Sequence, residues 1–137
     1  MRRKAMKFNN ILIAGAGTMG YSIAEIFSEY GYHVTLYDVS EEALSKAREY
    51  IDLNITSLGQ KASARSEITF TNAKDCFRDA DLVIECIVEN IQIKHEFYRE
   101  ISGLVRPDAI LASNTSGLSI NEIARSVSLP GRFIGMH

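Results

Sequence analysis

Residues 11–20 read ILIAGAGTMG, a short apolar run that leads into the pattern Gly-x-Gly-x-x-Gly. Apolar residues then recur at helical spacing as far as Tyr30, and Gly31 is suited to end that helix. A strand, a glycine turn and a helix in this order form the context in which the pattern binds the pyrophosphate of a dinucleotide. The stretch therefore predicts a dinucleotide-binding fold.

Each glycine of the turn has its own predicted role. Gly15 allows the tight turn, Gly17 lets the backbone approach the pyrophosphate, and Gly20 lets the helix and strand pack closely. The helix N-terminus adds free N–H groups and a partial positive charge. The predicted cofactor-binding residues of this turn are Gly15, Gly17, Thr18, Met19 and Gly20.

Composition bounds the other possibilities. The 137 residues suffice for one domain with a core, and the net charge of −2 implies no general affinity for nucleic acid or anionic membranes. We interpret residues 1–9 as a basic, disordered arm and residues 10–137 as the domain. No apolar run is long enough for a signal peptide or membrane span. Cys76 and Cys86 lack metal or disulfide spacing, which predicts core thiols in a reducing cytoplasm and no metal site.

The second predicted strand, residues 32–38, ends on an acid. Asp38 lies 18 residues after Gly20, close to the roughly 20 expected for the carboxylate that accepts hydrogen bonds from ribose hydroxyls. The next residue is Val39, and no arginine is nearby to hold a 2′-phosphate. This favours NAD over NADP. The alternative is that Asp38 only helps Ser40 to cap the next helix.

The rest of the chain alternates between helical and strand patterns. Helices are predicted at residues 41–60, at 91–104 and from Ser119; residues 72–80 form a short helix or turn; strands are predicted at 68–71, 81–88, 109–112 and 132–137. Glu85 is a charged residue in the middle of the near-continuously apolar strand 81–88. The alternation predicts an α/β doubly wound parallel sheet (a Rossmann fold) whose polar loops share one carboxyl edge.

Four motifs then coincide in suitable order and spacing. They are the glycine turn, Ile87-Val88-Glu89-Asn90, Ser113-Asn114-Thr115-Ser116 and Arg132-Phe133-Ile134-Gly135-Met136-His137. Together they closely resemble the NAD-binding domain of the L-3-hydroxyacyl-CoA dehydrogenases, from about Asn10 to the last residue. Many dinucleotide folds carry the glycine turn, whereas the combination is specific.

The resemblance implies two catalytic residues. His137 matches the catalytic histidine of the family, which acts as general base toward the 3-hydroxyl while hydride leaves C3 for the nicotinamide. Ser116 matches the serine that hydrogen-bonds the 3-oxygen of the substrate. The implied substrate is a 3-hydroxyacyl-CoA.

The resemblance also implies binding residues. Asn114 lies where the family contacts the nicotinamide side of the site, and Glu89 and Lys94 match positions that approach the nicotinamide end of NAD. Lys61 falls where the family has a lysine near the CoA phosphates.

Each of these side chains also has a purely structural interpretation. A terminal His137 is often a surface residue, and Ser116 can be a turn residue only. Glu89 can be the N-cap of the following helix, and Lys94 a solvated helix lysine.

Family members continue past the catalytic histidine into an Asn-Pro segment, a glutamate partner for the histidine, and a helical second domain that makes the dimer interface. The resemblance therefore implies that this chain is the cofactor domain of a longer, homodimeric enzyme, binding NAD with little turnover of its own. Two alternatives stay open: the equivalent domain of a relative acting on other 3-hydroxy acids, and a non-catalytic NAD-binding module.

Overall fold

A computed structural model of the protein describes residues 7–58 and 66–137. Six parallel strands form one sheet in the order β3-β2-β1-β4-β5-β6. This is the order of two mononucleotide-binding halves, so the predicted doubly wound sheet is confirmed. The strands are β1 (Asn10–Ala14), β2 (His33–Tyr37), β3 (Ile68–Thr71), β4 (Leu82–Glu85), β5 (Ile110–Ser113) and β6 (Phe133–Gly135).

The crossovers are α-helices except at one place. The α-helices are α1 (Thr18–Glu29), α2 (Glu41–Leu58), α3 (Ile91–Ile101) and α4 (Ile120–Ala124). A 3₁₀ helix at Lys74–Asp79 replaces an α-helix between β3 and β4, and another at Pro130–Arg132 precedes β6. Six residues at a rise of about 2.0 Å span roughly 12 Å, which matches the length of a four-residue strand.

Strand β1 lies at the centre of the sheet and is buried on both faces. Leu12 and Ala14 pack in the apolar layer on one face, and Ile11 and Ile13 pack in the layer on the other. Because side chains alternate along a strand, burial on both faces requires an uninterrupted apolar run. The run that opens the fingerprint is therefore also the centre of the core.

Some predicted elements extend too far at their carboxyl ends, among them the helix 91–104, which ends at Ile101. The predicted strand 81–88 stops at Glu85, and the apolar residues after it form a loop over the carboxyl edge. The predicted strand 132–137 is shortened to Phe133–Gly135. In both strands the apolar pattern continues past the end of the hydrogen-bonded ladder; Cys86 and Met136 pack against an apolar layer, whereas Val88 is 61% exposed. Among the described residues, no helix is long and apolar enough to cross a membrane.

Candidate functional site

The glycine turn joins β1 to α1 and permits no side chain at its first position. Gly15 has a φ of +112°, a conformation that L residues rarely adopt. Its N–H donates to the Tyr37 carbonyl at 2.8 Å. A Cβ at this position would stand 2.5 Å from the Cys86 carbonyl oxygen. The predicted tight turn is thus also the point where β1, β2 and the loop after β4 meet.

The other two glycines differ in what surrounds them. A Cβ on Gly20 would lie 1.7 Å from the Gly15 carbonyl oxygen, so the first turn of α1 packs directly on the strand. Gly17 is the N-cap of α1, and a Cβ there would meet no atom within 4 Å. The packing of the described chain therefore requires glycine at position 20 and leaves position 17 open.

The open space at Gly17 fits a dinucleotide pyrophosphate. It faces the N-terminus of α1, where N–H groups and the helix dipole favour an anion, and Gly17 offers no side chain to cap those N–H groups. Thr18 and Met19, the first helical residues, are exposed beside it. The structure thus gathers the five predicted residues of the turn at the N-terminus of α1.

Asp38 stands at the carboxyl end of β2 and ties two loops together. Its Oδ2 accepts from the N–H of Ala16 in the glycine turn at 2.8 Å, and its Oδ1 accepts from the N–H of Ser40 at 2.8 Å. The hydroxyl of Ser40, in turn, accepts from Ala43 N–H and caps α2. Asp38 therefore supports the cap without being the cap, and its carboxylate holds the turn against β2.

A cleft of about 220 Å³ opens beside Asp38. Its walls come from the glycine turn, the end of β2, the loop after β4 and one face of α3. Val39, 78% exposed, and Ile93 present apolar side chains to it. An apolar cleft next to a carboxylate suits an adenosine, whose base is flat and whose ribose donates hydrogen bonds.

Glu89 lies in the loop after β4 and reaches across to the loop after β5. Its Oε1 accepts from the Thr115 hydroxyl at 2.5 Å, and its Oε2 accepts from the Ser116 N–H at 3.4 Å. The N-cap of α3 is Asn90, whose Oδ1 accepts from the N–H groups of Gln92 and Ile93. The interpretation of Glu89 as that N-cap is therefore wrong.

The electrostatic surroundings of Glu89 favour its charged form. The hydrogen bond from Thr115 holds the pKa of this carboxyl below its usual value, and the Ser116 N–H and the charges of Lys94 and His137 act in the same direction. Glu89 is thus held in its carboxylate form by hydrogen-bond donors and cations at the carboxyl edge of the sheet.

The predicted catalytic residues lie at the same edge of the sheet. Ser116 is exposed and follows β5. The N–H of Met136 donates to the Ser113 carbonyl at 2.9 Å, which seats the end of β6 beside the end of β5 and leaves His137 exposed next to it. Asn114 is half-buried, and its N–H donates to the Glu85 carbonyl. The sheet therefore gathers Glu89, Asn114, Ser116 and His137.

Lys94 is not the solvated helix lysine that the sequence also allowed. Its side chain is 1% exposed, and its Nζ lies 2.5 Å from Glu85 Oε2 and 3.8 Å from Glu89 Oε1. It also donates to the Ile87 carbonyl at 3.4 Å. A buried ammonium requires such partners, and the sequence pattern of α3 gives no sign of them.

Glu85 is the residue of the site whose role the sequence analysis missed. It is fully buried, and beside Lys94 it accepts from the Ser113 hydroxyl at 2.7 Å, the Tyr98 hydroxyl at 3.2 Å and the Ile87 N–H at 3.0 Å. Burial and the nearby Glu85 charge raise the pKa of the Tyr98 phenol. The sequence does contain a signal for this role, since Glu85 is a charged residue inside an otherwise apolar strand. A buried acid must be paired or hydrogen-bonded.

Some predicted residues take no part in this arrangement or cannot be placed. Lys61 and residues 1–6 of the basic arm lie outside the described residues. Within residues 7–58 and 66–137, no group of three His, Cys, Asp or Glu could hold a metal ion. Cys76 and Cys86 are half-buried free thiols packed against the two apolar layers.

Comparison with known proteins identifies the family. Residues 10–137 match the family described as 3-hydroxyacyl-CoA dehydrogenase, NAD binding domain. A probable 3-hydroxybutyryl-CoA dehydrogenase of Deinococcus radiodurans is 37% identical, with 96% of this chain and 49% of that protein covered. A 5-formyl-3-hydroxy-2-methylpyridine 4-carboxylate 5-dehydrogenase of Mesorhizobium japonicum is 38% identical, with 93% and 43% covered.

Solved structures agree with the sequence relatives. The crystal structure of (S)-3-hydroxybutyryl-CoA dehydrogenase from Ralstonia eutropha superposes with a TM-score of 0.89 at 34% identity, covering 96% of this chain and 49% of that one. The chain spans about half the length of the curated relatives it matches. With its sheet order, glycine turn and family match over residues 10–137, the chain belongs to the 3-hydroxyacyl-CoA dehydrogenase family, as an NAD-binding domain.

Proposed function

We propose that this chain is the cofactor domain of an enzyme that oxidises a 3-hydroxyacyl-CoA to the 3-oxoacyl-CoA by hydride transfer to NAD. The observation that carries the proposal is the meeting of the glycine turn with Glu89, Ser116 and His137 at one carboxyl edge of the sheet. Ligands of open α/β sheets bind at this edge.

The three side chains have complementary chemical roles. His137 accepts the proton of the 3-hydroxyl, since a neutral imidazole has a nitrogen that can act as general base. Ser116 hydrogen-bonds the 3-oxygen, because a hydroxyl can accept from the alcohol and donate to the ketone. The Glu89 carboxylate, whose pKa is held below its usual value by the Thr115 hydroxyl, stabilises the imidazolium that His137 becomes. When bound, NAD supplies the acceptor for the C3 hydride.

The adenosine half of NAD is assigned to the glycine turn and the cleft beside Asp38. Both carboxylate oxygens of Asp38 already accept one backbone N–H each, and each retains capacity to accept a ribose hydroxyl. The same carboxylate repels a 2′-phosphate, and Val39 offers no donor to one. We therefore expect NAD to bind more tightly than NADP.

Calorimetric titration with NAD tests the binding part of the proposal. The decisive variant is Gly17→Ala, because its Cβ meets no protein atom and blocks only the approach to the pyrophosphate. We expect at least a tenfold loss of NAD affinity at unchanged stability. Gly103→Ala is the matched control, since a Cβ there also meets nothing and the residue lies beyond the end of α3. Absence of heat with millimolar NAD, or a Gly17→Ala variant that binds normally, would contradict the proposal.

Turnover tests the catalytic part. His137 and Ser116 are exposed, so the described residues neither enclose a substrate nor exclude water from it. Positioning of the substrate and exclusion of water both contribute strongly to catalysis. We expect this chain alone to oxidise 3-hydroxybutyryl-CoA negligibly. Robust turnover that His137→Ala abolishes would overturn the view that the chain needs a further substrate-binding region.

A second candidate is a dehydrogenase of a substrate other than an acyl-CoA. The 38% identity to the pyridine-carboxylate dehydrogenase of Mesorhizobium japonicum favours it, because that relative is as similar as the acyl-CoA enzymes. Binding of acetoacetyl-CoA to the chain saturated with NADH, compared with acetoacetate and with a 3-hydroxypyridine carboxylate, separates the two candidates. Preference for the CoA thioester supports the first.

We also propose a cytoplasmic location and a homodimeric parent enzyme. Support for the reducing compartment comes from Cys76 and Cys86, which are both free thiols. Burial raises the pKa of Cys76 to about 11 and that of Cys86 to about 12. Such thiols are inert at neutral pH. Cell fractionation tests the location, and sedimentation of the complete gene product tests the dimer.

A further inference from the structure

A buried polar cluster lies behind the edge where His137 and Ser116 stand. We define the Glu85 cluster as Glu85, Lys94, Tyr98 and Ser113, which come from β4, α3 and β5. All four side chains are buried. Both oxygens of Glu85 are fully used: Oε1 accepts from Ser113 and Tyr98, and Oε2 from Lys94 and the Ile87 N–H. Four donors around one carboxylate are what an ionised acid requires.

Stability alone does not account for this cluster. Removing two charges from water is costly, and an apolar pair of equal volume often serves stability as well or better. What the ion pair provides is a defined position for a cation. Lys94 is the part of the cluster that faces the site, because its Nζ also approaches Glu89 Oε1 at 3.8 Å and the Ile87 carbonyl at 3.4 Å.

The geometry points to Glu85 as a positioning residue that holds Lys94, and through it the loop of residues 86–90, for the nicotinamide end of NAD. The inference rests on the proposed function, with Lys94 and Glu89 at the nicotinamide end as the family resemblance implies. Glu85 itself is fully buried and acts through Lys94 and through its bond to the Ile87 N–H.

Two carboxylates compete for Lys94, and the buried one determines its position. Glu85 is fully buried and 2.5 Å from the Nζ, whereas Glu89 is 46% exposed and 3.8 Å away. Coulombic attraction is stronger at the shorter distance and in the drier surroundings. In Glu85→Gln the amide group faces either Lys94 and the Ile87 N–H or the two hydroxyls, so half of the acceptor capacity is lost. Lys94 then moves toward Glu89 and alters the nicotinamide end, while the glycine turn and Asp38 keep their own hydrogen bonds.

The adenosine half of the site gives the internal reference. Its pyrophosphate and ribose are assigned to the glycine turn and Asp38, which make no hydrogen bond to the Glu85 cluster in the described structure. The cleft for its base shares Ile87 with the loop of residues 86–90. ADP-ribose carries this half of the cofactor without the nicotinamide. The ratio of NADH affinity to ADP-ribose affinity therefore reports on the nicotinamide end, and a general loss of structure lowers both affinities together.

The experiment measures both affinities by calorimetry on the full chain and its variants. For Glu85→Gln we expect NADH affinity to fall about tenfold, the effect of losing a hydrogen bond to a charged group, and ADP-ribose affinity to change less than about twofold. Tyr98→Phe keeps the ring in the core and removes one donor to Glu85. It should lower the ratio about two- to threefold, and it decides the question if Glu85→Gln fails to fold.

A double-mutant cycle shows whether Glu85 acts through Lys94. Lys94→Met should lower the ratio of NADH affinity to ADP-ribose affinity. Adding Glu85→Gln in that background should change this ratio less than about twofold. A folded Glu85→Gln or Tyr98→Phe with an unchanged ratio overturns the inference and leaves NAD binding intact. A Glu85 effect that persists without Lys94 also overturns it. A wild-type chain that binds neither ligand overturns the proposed function together with this inference.

Discussion

The two ends of the carboxyl edge are built in different ways. The glycine turn is shaped by backbone: a positive φ at Gly15, the contact of Gly20 with the Gly15 carbonyl, and N–H groups left for a ligand. The nicotinamide end is shaped by buried charge, with Lys94 between Glu85 and Glu89. The backbone-shaped turn should tolerate substitution except at Gly15 and Gly20, whereas the charged end loses its structure when either partner of the ion pair is lost. The stability of variants should expose this difference.

The largest expected effect is on the charged end. Lys94→Met leaves Glu85 buried without its cation, and we expect the free energy of unfolding to fall by about 3–5 kcal/mol. The double variant Glu85→Gln/Lys94→Met should recover much of this loss, because no unpaired charge remains buried. Urea unfolding followed by circular dichroism measures both.

The matched control for that prediction is an exposed ion pair in α2. Lys46 contacts Glu42 at 2.7 Å, but both side chains are largely in water. Lys46→Met should leave the free energy of unfolding unchanged within error, since exposed pairs contribute little. Equal stabilities of the Lys94→Met and Lys46→Met variants would refute the idea that buried charge organises this end.

The next largest effect is at the backbone-shaped end. Gly20→Ala places a Cβ 1.7 Å from the Gly15 carbonyl oxygen, so α1 must shift away from β1. We expect a loss of about 3 kcal/mol in the free energy of unfolding, typical of severe overpacking. Gly17→Ala, three residues earlier, should unfold like the wild type because its Cβ has room. A thermal shift as large at position 17 as at position 20 would disprove the steric distinction.

A smaller effect is expected where the turn meets Asp38. Asp38→Asn keeps one acceptor and turns an NH₂ group toward the N–H of either Ala16 or Ser40. The free energy of unfolding should fall by about 1 kcal/mol. NAD affinity should fall as well, while NADP affinity should not, because a charge that repels the 2′-phosphate is gone. Titration of the variant with both nucleotides measures the change, and an undiminished preference for NAD would count against the ribose role of Asp38.

The backbone-shaped end could be predicted from the sequence and the charged end largely could not. The glycine pattern, the apolar run of β1 and the spacing to Asp38 are local signals, because a turn, a strand and a helix follow one another directly. The burial of Lys94 depends on Glu85, nine positions earlier on another element, and on Ser113, which is 28 positions from Glu85. Periodicity shows which face of a helix is apolar, but not which charge it meets.

The errors in the predictions have the same cause. The loop after β4 stays apolar for three residues, so composition extends the strand too far, whereas the strand ends where its pairing with β1 and β5 stops, at Glu85. Glu89 and Asn90 are adjacent and both are suited to cap α3; the choice of Asn90 follows from the partners that Glu89 finds on the loop after β5. Contacts across the sheet, which no local pattern contains, settled each of these points.

The smallest expected effect concerns Glu89 and pH. The Thr115 hydroxyl is the main reason why the pKa of Glu89 lies below its usual value in the folded protein. A carboxyl that binds protons less readily when folded adds stability that is complete above its unfolded pKa, about 4.3, and is lost as the pH falls through its folded pKa. Thr115→Val removes the hydroxyl at similar volume, so the folded pKa rises toward the unfolded one and less stability is left to lose.

Urea unfolding of both proteins from about pH 7 to about pH 3 tests this. The wild type should lose more free energy of unfolding over that range than Thr115→Val, by only a few tenths of a kcal/mol because Glu89 is 46% exposed. The Leu118 N–H also loses its acceptor in the variant, but this lowers stability equally at every pH and does not affect the slope. Other acids with lowered pKa values, such as Asp81, titrate alike in both proteins. Thr115→Ser keeps the hydroxyl and should follow the wild type. Parallel curves for the wild type and Thr115→Val would show that this hydrogen bond does not lower the pKa of Glu89.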